Sequence, residues 1–188
     1  SVMTDRWRLV NGKELYDINA DPGQSKNIAD DHPEVVKQLT GEYETWWQHI
    51  DERFDEFVRI PLGDSEAPQT SFTCHDWHAN NVPWNHGMIK RMPKASGFWA
   101  VDVKQAGTYE FILRLRPEGV EFPLEKGDGS VTLEAEGEVR AGGNKVPITP
   151  GQSSVTVRMK LPAGPARLTT TIHEEKRGER GAFIVTVR

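Results

Sequence analysis

The reactive side chains of this 188-residue chain are concentrated in one place: Cys74-His75-Asp76-Trp77-His78, followed by Trp84 and His86. Several chemistries fit these residue types. Imidazole and carboxylate groups at His75, Asp76 and His78 are compatible with a divalent metal such as zinc, with His75 and His78 as the candidate ligands. Asp76, Trp77, His78 and Trp84 are equally compatible with a sugar surface, where indole faces stack on carbohydrate and polar groups hydrogen-bond its hydroxyls. A nucleophilic Cys74 needs a base held beside it in space, which closeness in sequence does not supply. An inert, half-buried thiol is the plainer reading. The plainer reading of the whole cluster is an ordered tie between folded parts, with Trp77 and Trp84 in a core and the polar groups paired locally.

Two other segments carry charge or rings worth weighing. The run His173-Glu174-Glu175-Lys176-Arg177-Gly178-Glu179-Arg180 offers three cations to an anion such as a sulfated polymer. Three carboxylates in the same run largely cancel that attraction, so it reads as a solvated hairpin loop. Arg114 and Arg116 alternate with Leu113 and Leu115 and so point to the outer or loop-facing side of a strand, as weak anion-site candidates. Trp46-Trp47 falls in helical register with Tyr43 and Ile50, which makes these rings packing residues rather than a ligand platform.

The elements that must position these groups come in two unlike halves. In residues 1–57, Trp7-Arg8-Leu9-Val10 and Glu14-Leu15-Tyr16-Asp17-Ile18 flank Asn11-Gly12, the dipeptide suited to a hairpin turn with two positive φ angles. Asp21-Pro22-Gly23 breaks the chain. Pro33, preceded by Asp31-His32, then opens a helix in which Val35, Val36, Leu39, Tyr43, Trp46, Trp47, Ile50, Phe54 and Phe57 recur every three or four residues. A hairpin and one helix give this stripe little to bury against, so the half reads as incomplete. Residues 97–188 alternate in period two at Trp99-Val101-Val103 and Tyr109-Phe111-Leu113-Leu115, with further strands near 131–133, 155–159, 168–172 and 183–187. Glycine- and proline-rich turns separate them. That pattern predicts an antiparallel β-sandwich, jelly-roll-like, after an α+β fragment made of a β-hairpin and an amphipathic helix. Residues 58–96 lack regular periodicity and read as an ordered, docked connecting segment, since a solvated linker would not carry Trp77 and Trp84.

Composition bounds the function. With 23 Lys and Arg against 28 Asp and Glu the net charge is −5, which argues against a general nucleic-acid partner. No stretch approaches the ~20 apolar residues of a membrane helix. The opening SVMTDRWRLV reads as strand rather than as a basic-then-apolar leader. The single cysteine excludes an internal disulfide and any multi-cysteine metal site. Six Trp, seven Phe and three Tyr supply enough bulk for a sizeable core.

The first half resembles the C-terminal end of the sulfatase (arylsulfatase) family of the alkaline-phosphatase-like superfamily. The matching residues are Trp7-Arg8-Leu9-Val10, Gly12 to Ile18, Asp21-Pro22-Gly23, Asn27-Ile28-Ala29, His32 to Val36, Tyr43 and Trp46-Trp47. In that family this hairpin and helix belong to a smaller C-terminal subdomain. The second half is similar to the β-rich extension that some bacterial sulfatases carry, through His75-Asp76-Trp77-His78, Trp99-Ala100-Val101, Gly107-Thr108-Tyr109 and Gly181-Ala182-Phe183. The first ~50 residues carry the more specific part of the match.

The family's nucleophile is a formylglycine made within C/S-x-P/A-x-R, and that motif is missing here. Cys74 is followed by Asp76 and His78 at the positions that need Pro or Ala and then Arg, and Ser65-Glu66-Ala67-Pro68-Gln69 ends in Gln. The family's acidic pair for calcium has no counterpart either, because Asp30-Asp31 sits at a helix start where capping explains it. The resemblance therefore implies a non-catalytic C-terminal portion of a sulfuric ester hydrolase, inactive alone, completing the subdomain and adding a sandwich that stabilises the core or walls the substrate entrance. Its implied partners are the N-terminal catalytic domain of the same polypeptide and a sulfated carbohydrate. Calcium and the attack of hydrated formylglycine on sulfur belong to the parent enzyme, with no cofactor in this chain. The family implies a periplasmic or secreted location. The alternative from a different class is a carbohydrate-binding β-sandwich module with its own affinity; an independent metalloenzyme would require His75 and His78 to chelate.

Overall fold

The structure is a computed structural model that describes residues 1–135 and 137–188 of the chain. They form two compact units, Ser1–Phe57 and Val58–Arg188.

The first unit is a three-stranded antiparallel sheet, β1 (Val2–Met3), β2 (Trp7–Val10) and β3 (Glu14–Asp17), in the order β1-β2-β3, followed by helix α1 (Pro33–Asp51). Asn11 and Gly12 have φ of 52° and 68°, and the Lys13 amide donates to the Val10 carbonyl at 3.0 Å, so the expected turn forms. Side-chain oxygens organise the loop to the helix. Asp17 accepts from the Asn19 and Ala20 amides, Asp21 from the Ser25 and Lys26 amides, and Asn27 from the Leu15 and Ala29 amides. The Ala20 amide and the Arg6 guanidinium hold the Asp17 carboxyl below the usual range, and the Lys26 amide does the same for Asp21. Pro33 occupies the first turn of α1, where its missing N–H has no intrahelical partner to lose.

Burial in this unit is confined to Leu9, Leu15 and Leu39, with Val2, Trp7, Ile28, Val35 and Val36 packed around them. The helical stripe is only partly packed: Tyr43, Trp46 and Phe54 are 38%, 55% and 62% exposed, so Trp46, which its register marks as a packing residue, is largely on the surface. Their rings touch one another along the helix, Tyr43–Trp47 at 6.0 Å and Trp47–Phe54 at 5.2 Å between centroids. Leu39 is the one residue of α1 that the small sheet buries, and the aromatic ladder beyond it stays on the surface.

The second unit is a β-sandwich. Its strands are β4 (Ile60–Leu62), β5 (Thr70–Thr73), β6 (Phe98–Val103), β7 (Gly107–Arg114), β8 (Gly127–Ala135), β9 (Glu138–Gly142), β10 (Val146–Ile148), β11 (Val155–Leu161), β12 (Gly164–Glu174), β13 (Gly178–Arg180) and β14 (Ile184–Val187). One sheet runs β10-β8-β12-β6-β4, with β9 beside β8 and β13 beside β12; the other runs β11-β7-β14-β5. From β5 to β8 successive strands alternate between the sheets, and β11, β12 and β14 do so again, which is jelly-roll winding. Period-two alternation supplies the core: Trp99, Val101 and Val103 from β6, Tyr109, Phe111 and Leu113 from β7, and Ala166, Leu168 and Ile172 from β12 are all buried.

The segment 58–96 is part of this unit rather than a connection to it. Strand β4 lies parallel to β6, with Ile60 opposite Val101, and β5 pairs antiparallel with β14. Strands of three and four residues are too short to show a period in sequence. Pro61 in β4 and Pro147 in β10 both sit on outermost strands, where a missing N–H removes no shared ladder bond.

The charged run 173–180 is not a solvated loop. Glu174 is fully buried and Arg180 is 3% exposed. One Glu174 oxygen accepts from the Glu125 amide at 2.9 Å and from Arg177 at 3.1 Å, and the other accepts from Arg180 at 3.0 Å. Arg177 also pairs with Glu125 at 3.3 Å. Residue 174 faces inward because β12 keeps its register with Leu168 and Ile172, so the carboxylate is buried by the pleat and must be neutralised there. Replacing Arg180 by Met should lower unfolding stability by about 3 kcal/mol, because a buried carboxylate loses one of its two cations. Arg177→Met, at a guanidinium 34% exposed, should cost clearly less. Urea denaturation of the two variants checks the order; equal, small losses would contradict it.

Candidate functional site

The residues of the chemical cluster lie on a short turn at the end of β5. Cys74–Asp76 forms a single 3-10 turn, begun by Thr73. The Thr73 hydroxyl oxygen accepts from the His75 amide at 3.3 Å, and the Asp76 carboxylate accepts from the Thr73 amide at 3.4 Å. This reciprocal cap accounts for Asp76, whose carboxylate oxygen also takes the Thr73 hydroxyl at 3.3 Å. It does not line the groove described below.

Trp77 is core. It is 5% exposed, with its ring 5.6 Å from Trp99 and 6.0 Å from Phe183. Gly97 and Gly181 make the slot: a Cβ on either would fall 2.7 Å or 2.6 Å from Trp77 atoms. An indole held this way presents no face to a sugar, so its place in a glycan surface is corrected. His78 joins the sheet through its amide, which donates to the Phe98 carbonyl at 2.9 Å, and its ring stacks on Phe98 at 5.0 Å. It is exposed but not part of the groove. His75 and His78 are thus committed to different neighbours. Among the described residues no group of three or more His, Cys, Asp or Glu is placed to share a metal ion.

Trp84 is the exposed member, at 67%. Its ring lies 6.0 Å from His75 at the mouth of a groove of about 770 Å³. One wall is helix α2 (His86–Lys90), started by Asn85, whose side-chain oxygen accepts from the Met88 amide at 2.9 Å. The facing wall is the segment around Arg116, Pro117 and Val120 after β7, and the floor includes Cys74, Ile89, Phe183 and Ile184. The lining is mainly apolar, with His75, Asn85, His86 and Lys90 supplying polar groups.

Arg116 ties the walls together. Its guanidinium donates to the carbonyls of Ile89 at 3.0 Å and Leu115 at 2.8 Å, and to that of Lys90 at 3.4 Å. It also lies 4.5 Å over the Phe122 ring, with Arg177 at 5.0 Å from the same ring. Burial, with the neighbouring Arg177 charge, lowers the pKa of Arg116 from its ordinary value. The chain from α2 through Arg116, Phe122 and Arg177 ends on buried Glu174, so the groove is anchored to the sandwich core. Arg114, the other arginine singled out from sequence, pairs with Glu118 at 3.5 Å and takes no part in the groove.

Sequence reading found Trp84 and His75 but missed Ile89, Lys90, Pro117, Val120 and Ile184. These come from three segments that only the strand order brings together. The one local signal was Asn85 in Asn85-His86-Gly87-Met88, a helix cap directly before a single short turn.

A scan against known protein families finds no match to this chain, and a search of curated proteins finds none. Among solved structures, the chain is similar to the carbohydrate binding module CBM6cm-2 from Cellvibrio mixtus lichenase 5A, determined in complex with cellotriose. The identity is 16%, the match covers 63% of this chain and 94% of that chain, and the TM-score is 0.31. A likeness of this extent carries no argument about function.

Cys74 opens onto this site only as an inert floor. It is fully buried, its Sγ lies 3.6 Å from the Pro83 carbonyl oxygen, and burial pushes the thiol up to about 11. A thiol so protonated is a poor nucleophile at neutral pH. Iodoacetamide at pH 8 should label the native protein far more slowly than the urea-unfolded chain. Labelling at the unfolded rate would restore Cys74 as a reactive group.

Proposed function

We propose that this chain is a non-catalytic portion of a sulfatase-type hydrolase whose β-sandwich binds carbohydrate in the groove beside Trp84. The observation that carries the carbohydrate reading is an indole, 67% exposed, standing at the mouth of an anchored, mainly apolar groove. The C–H faces of a pyranose are apolar and stack on an indole, while His75, Asn85 and His86 can meet its hydroxyls. A large exposed ring over a rigid floor costs little conformational entropy when a ligand arrives, because Trp84 has few rotamers to lose. The sandwich needs no catalytic group for this role.

Trp84→Ala should abolish binding of oligosaccharides while leaving the unfolding free energy within about 0.5 kcal/mol of wild type, since an exposed ring adds little to the core. Trp77→Ala should instead unfold the sandwich or cost about 3–5 kcal/mol. Isothermal titration against a panel of hexasaccharides, with urea denaturation alongside, separates the two. Binding that survives Trp84→Ala would move the site elsewhere.

A specific observation favours the sulfatase part of the reading: the first unit buries three residues and leaves the Tyr43–Trp46–Trp47–Phe54 ladder at its surface. A unit with so small a core suits part of a larger subdomain, as the Gly12–Ile18 and Asp21–Ala29 resemblance implies. In that reading the catalytic domain, its formylglycine and its calcium lie on the same polypeptide, in the periplasm or outside the cell. Peptide mapping of the polypeptide from its native source should find a C/S-x-P/A-x-R segment upstream of Ser1. A native polypeptide without one would remove the sulfatase reading and leave the binding module.

A further inference from the structure

We infer that β11 is a docking edge for an extended acidic peptide of a partner protein, which adds to the sandwich as a further strand. β11 ends its sheet: it pairs with β7 along all seven of its residues and with no other strand. The Glu110 amide donates to the Arg188 carbonyl at 2.8 Å and the Arg188 amide to the Glu110 carbonyl at 3.1 Å, so both backbone groups of Glu110 point to the β14 side. Arg158, directly opposite Glu110, therefore turns its own N–H and C=O away from β7. By the alternation of the strand, Thr156 and Lys160 do the same. The other outermost strands of the sandwich are blunted. Pro61 interrupts β4, Pro147 interrupts β10, the β8–β9 pairing shifts register between Leu133 and Glu134, and β13 and β5 have only three and four residues. β11 has no proline, no glycine and no break in its pairing.

The backbone decides the class of occupant. A row of N–H and C=O groups at every second residue is matched group for group by another extended polypeptide. Side chains decide its composition. Beside β11 lies a cavity of about 510 Å³ with an apolar lining of Val131, Ala141, Val157 and Met159, which takes the inward-facing residues of an added strand. The charged groups of that lining are Arg140, Arg158 and Lys160, and no Asp or Glu lines it. The single carboxylate of Glu110 answers both Arg158 and Arg188, and Lys160 has no carboxylate partner among the described residues, so the outward face of β11 keeps an excess of positive charge. An acidic residue set opposite Arg158 or Lys160 makes a cross-strand ion pair. A second copy of this chain is the poorer occupant. Antiparallel self-pairing centred on Arg158 sets that arginine against itself, and pairing centred on Met159 sets it against Lys160.

The test titrates the full chain with two capped heptapeptides, one alternating valine with glutamate and one alternating valine with lysine, followed by fluorescence anisotropy. The glutamate peptide should bind at least about fivefold tighter than the lysine peptide. Thr156→Pro removes an outward N–H without taking a bond from β7, and should weaken binding about tenfold or more. Thr156→Val keeps that N–H and should bind as wild type does. Amide hydrogen exchange reads the same edge without a variant. The Thr156, Arg158 and Lys160 amides should exchange quickly in the protein alone and slow at least about tenfold with saturating glutamate peptide, while Val157 and Met159 are slow throughout. Binding that leaves those three amides unprotected, or that Thr156→Pro in a folded variant does not weaken, would overturn the edge. Equal affinity for the two peptides would overturn the acidic partner. No binding of either peptide would overturn the proposal, and a dimer in sedimentation velocity that Thr156→Pro dissolves would then give the edge to a second copy.

Discussion

The indole of Trp77 is the fixed point of the sandwich unit. It enters between Gly97 and Gly181, where no Cβ could fit beside it, and packs on Trp99 and Phe183 from opposite sheets. Through it the turn Cys74–Asp76 and the chain leading to α2 are clamped to both layers. Burying a ring of this size contributes a few kcal/mol, large beside the net stability of a domain. One side of the groove follows from that anchor, because His75 and Trp84 lie on either side of it in sequence and are carried to one edge.

The opposite wall is held by charge rather than by apolar bulk. Glu174 is buried by the pleat of β12 and answered by Arg177 and Arg180. Such a pair returns little net stability against a hydrophobic replacement, since the desolvation of its charges offsets their attraction. What it contributes is position. Arg177 reaches Phe122, Arg116 covers the same ring, and Arg116 holds the carbonyl end of α2. A groove wall built this way resists sliding, because a displaced guanidinium would leave either a buried carboxylate or several carbonyls without a donor.

The two units differ in how far they satisfy themselves. The sandwich closes its core with residues from nearly every strand and places prolines on outer strands of one sheet. The first unit satisfies its backbone well, with Asp17, Asp21 and Asn27 capping the loop amides, yet it buries little side-chain area. Its polar loop is complete while its apolar face is not.

The hairpin turn, the start of α1 and the alternation of β6, β7, β11 and β12 were legible in the residues themselves, because turn geometry, capping and pleat are decided by neighbours in sequence. The sandwich class followed from that alternation. What the sequence could not show was decided by contacts between distant segments. Trp77 and Trp84 look alike in a list of residues; only the Gly97–Gly181 slot buries one and leaves the other open. Asp76 and His78 looked like ligands until a threonine amide and a phenylalanine ring took them. Glu174 read as solvated because its neighbours are charged, and its burial came from a strand register shared with residues six and two positions earlier. Lys90, Arg116 and Val120 meet only when two sheets stack, so the composition of the groove belongs to the tertiary structure alone.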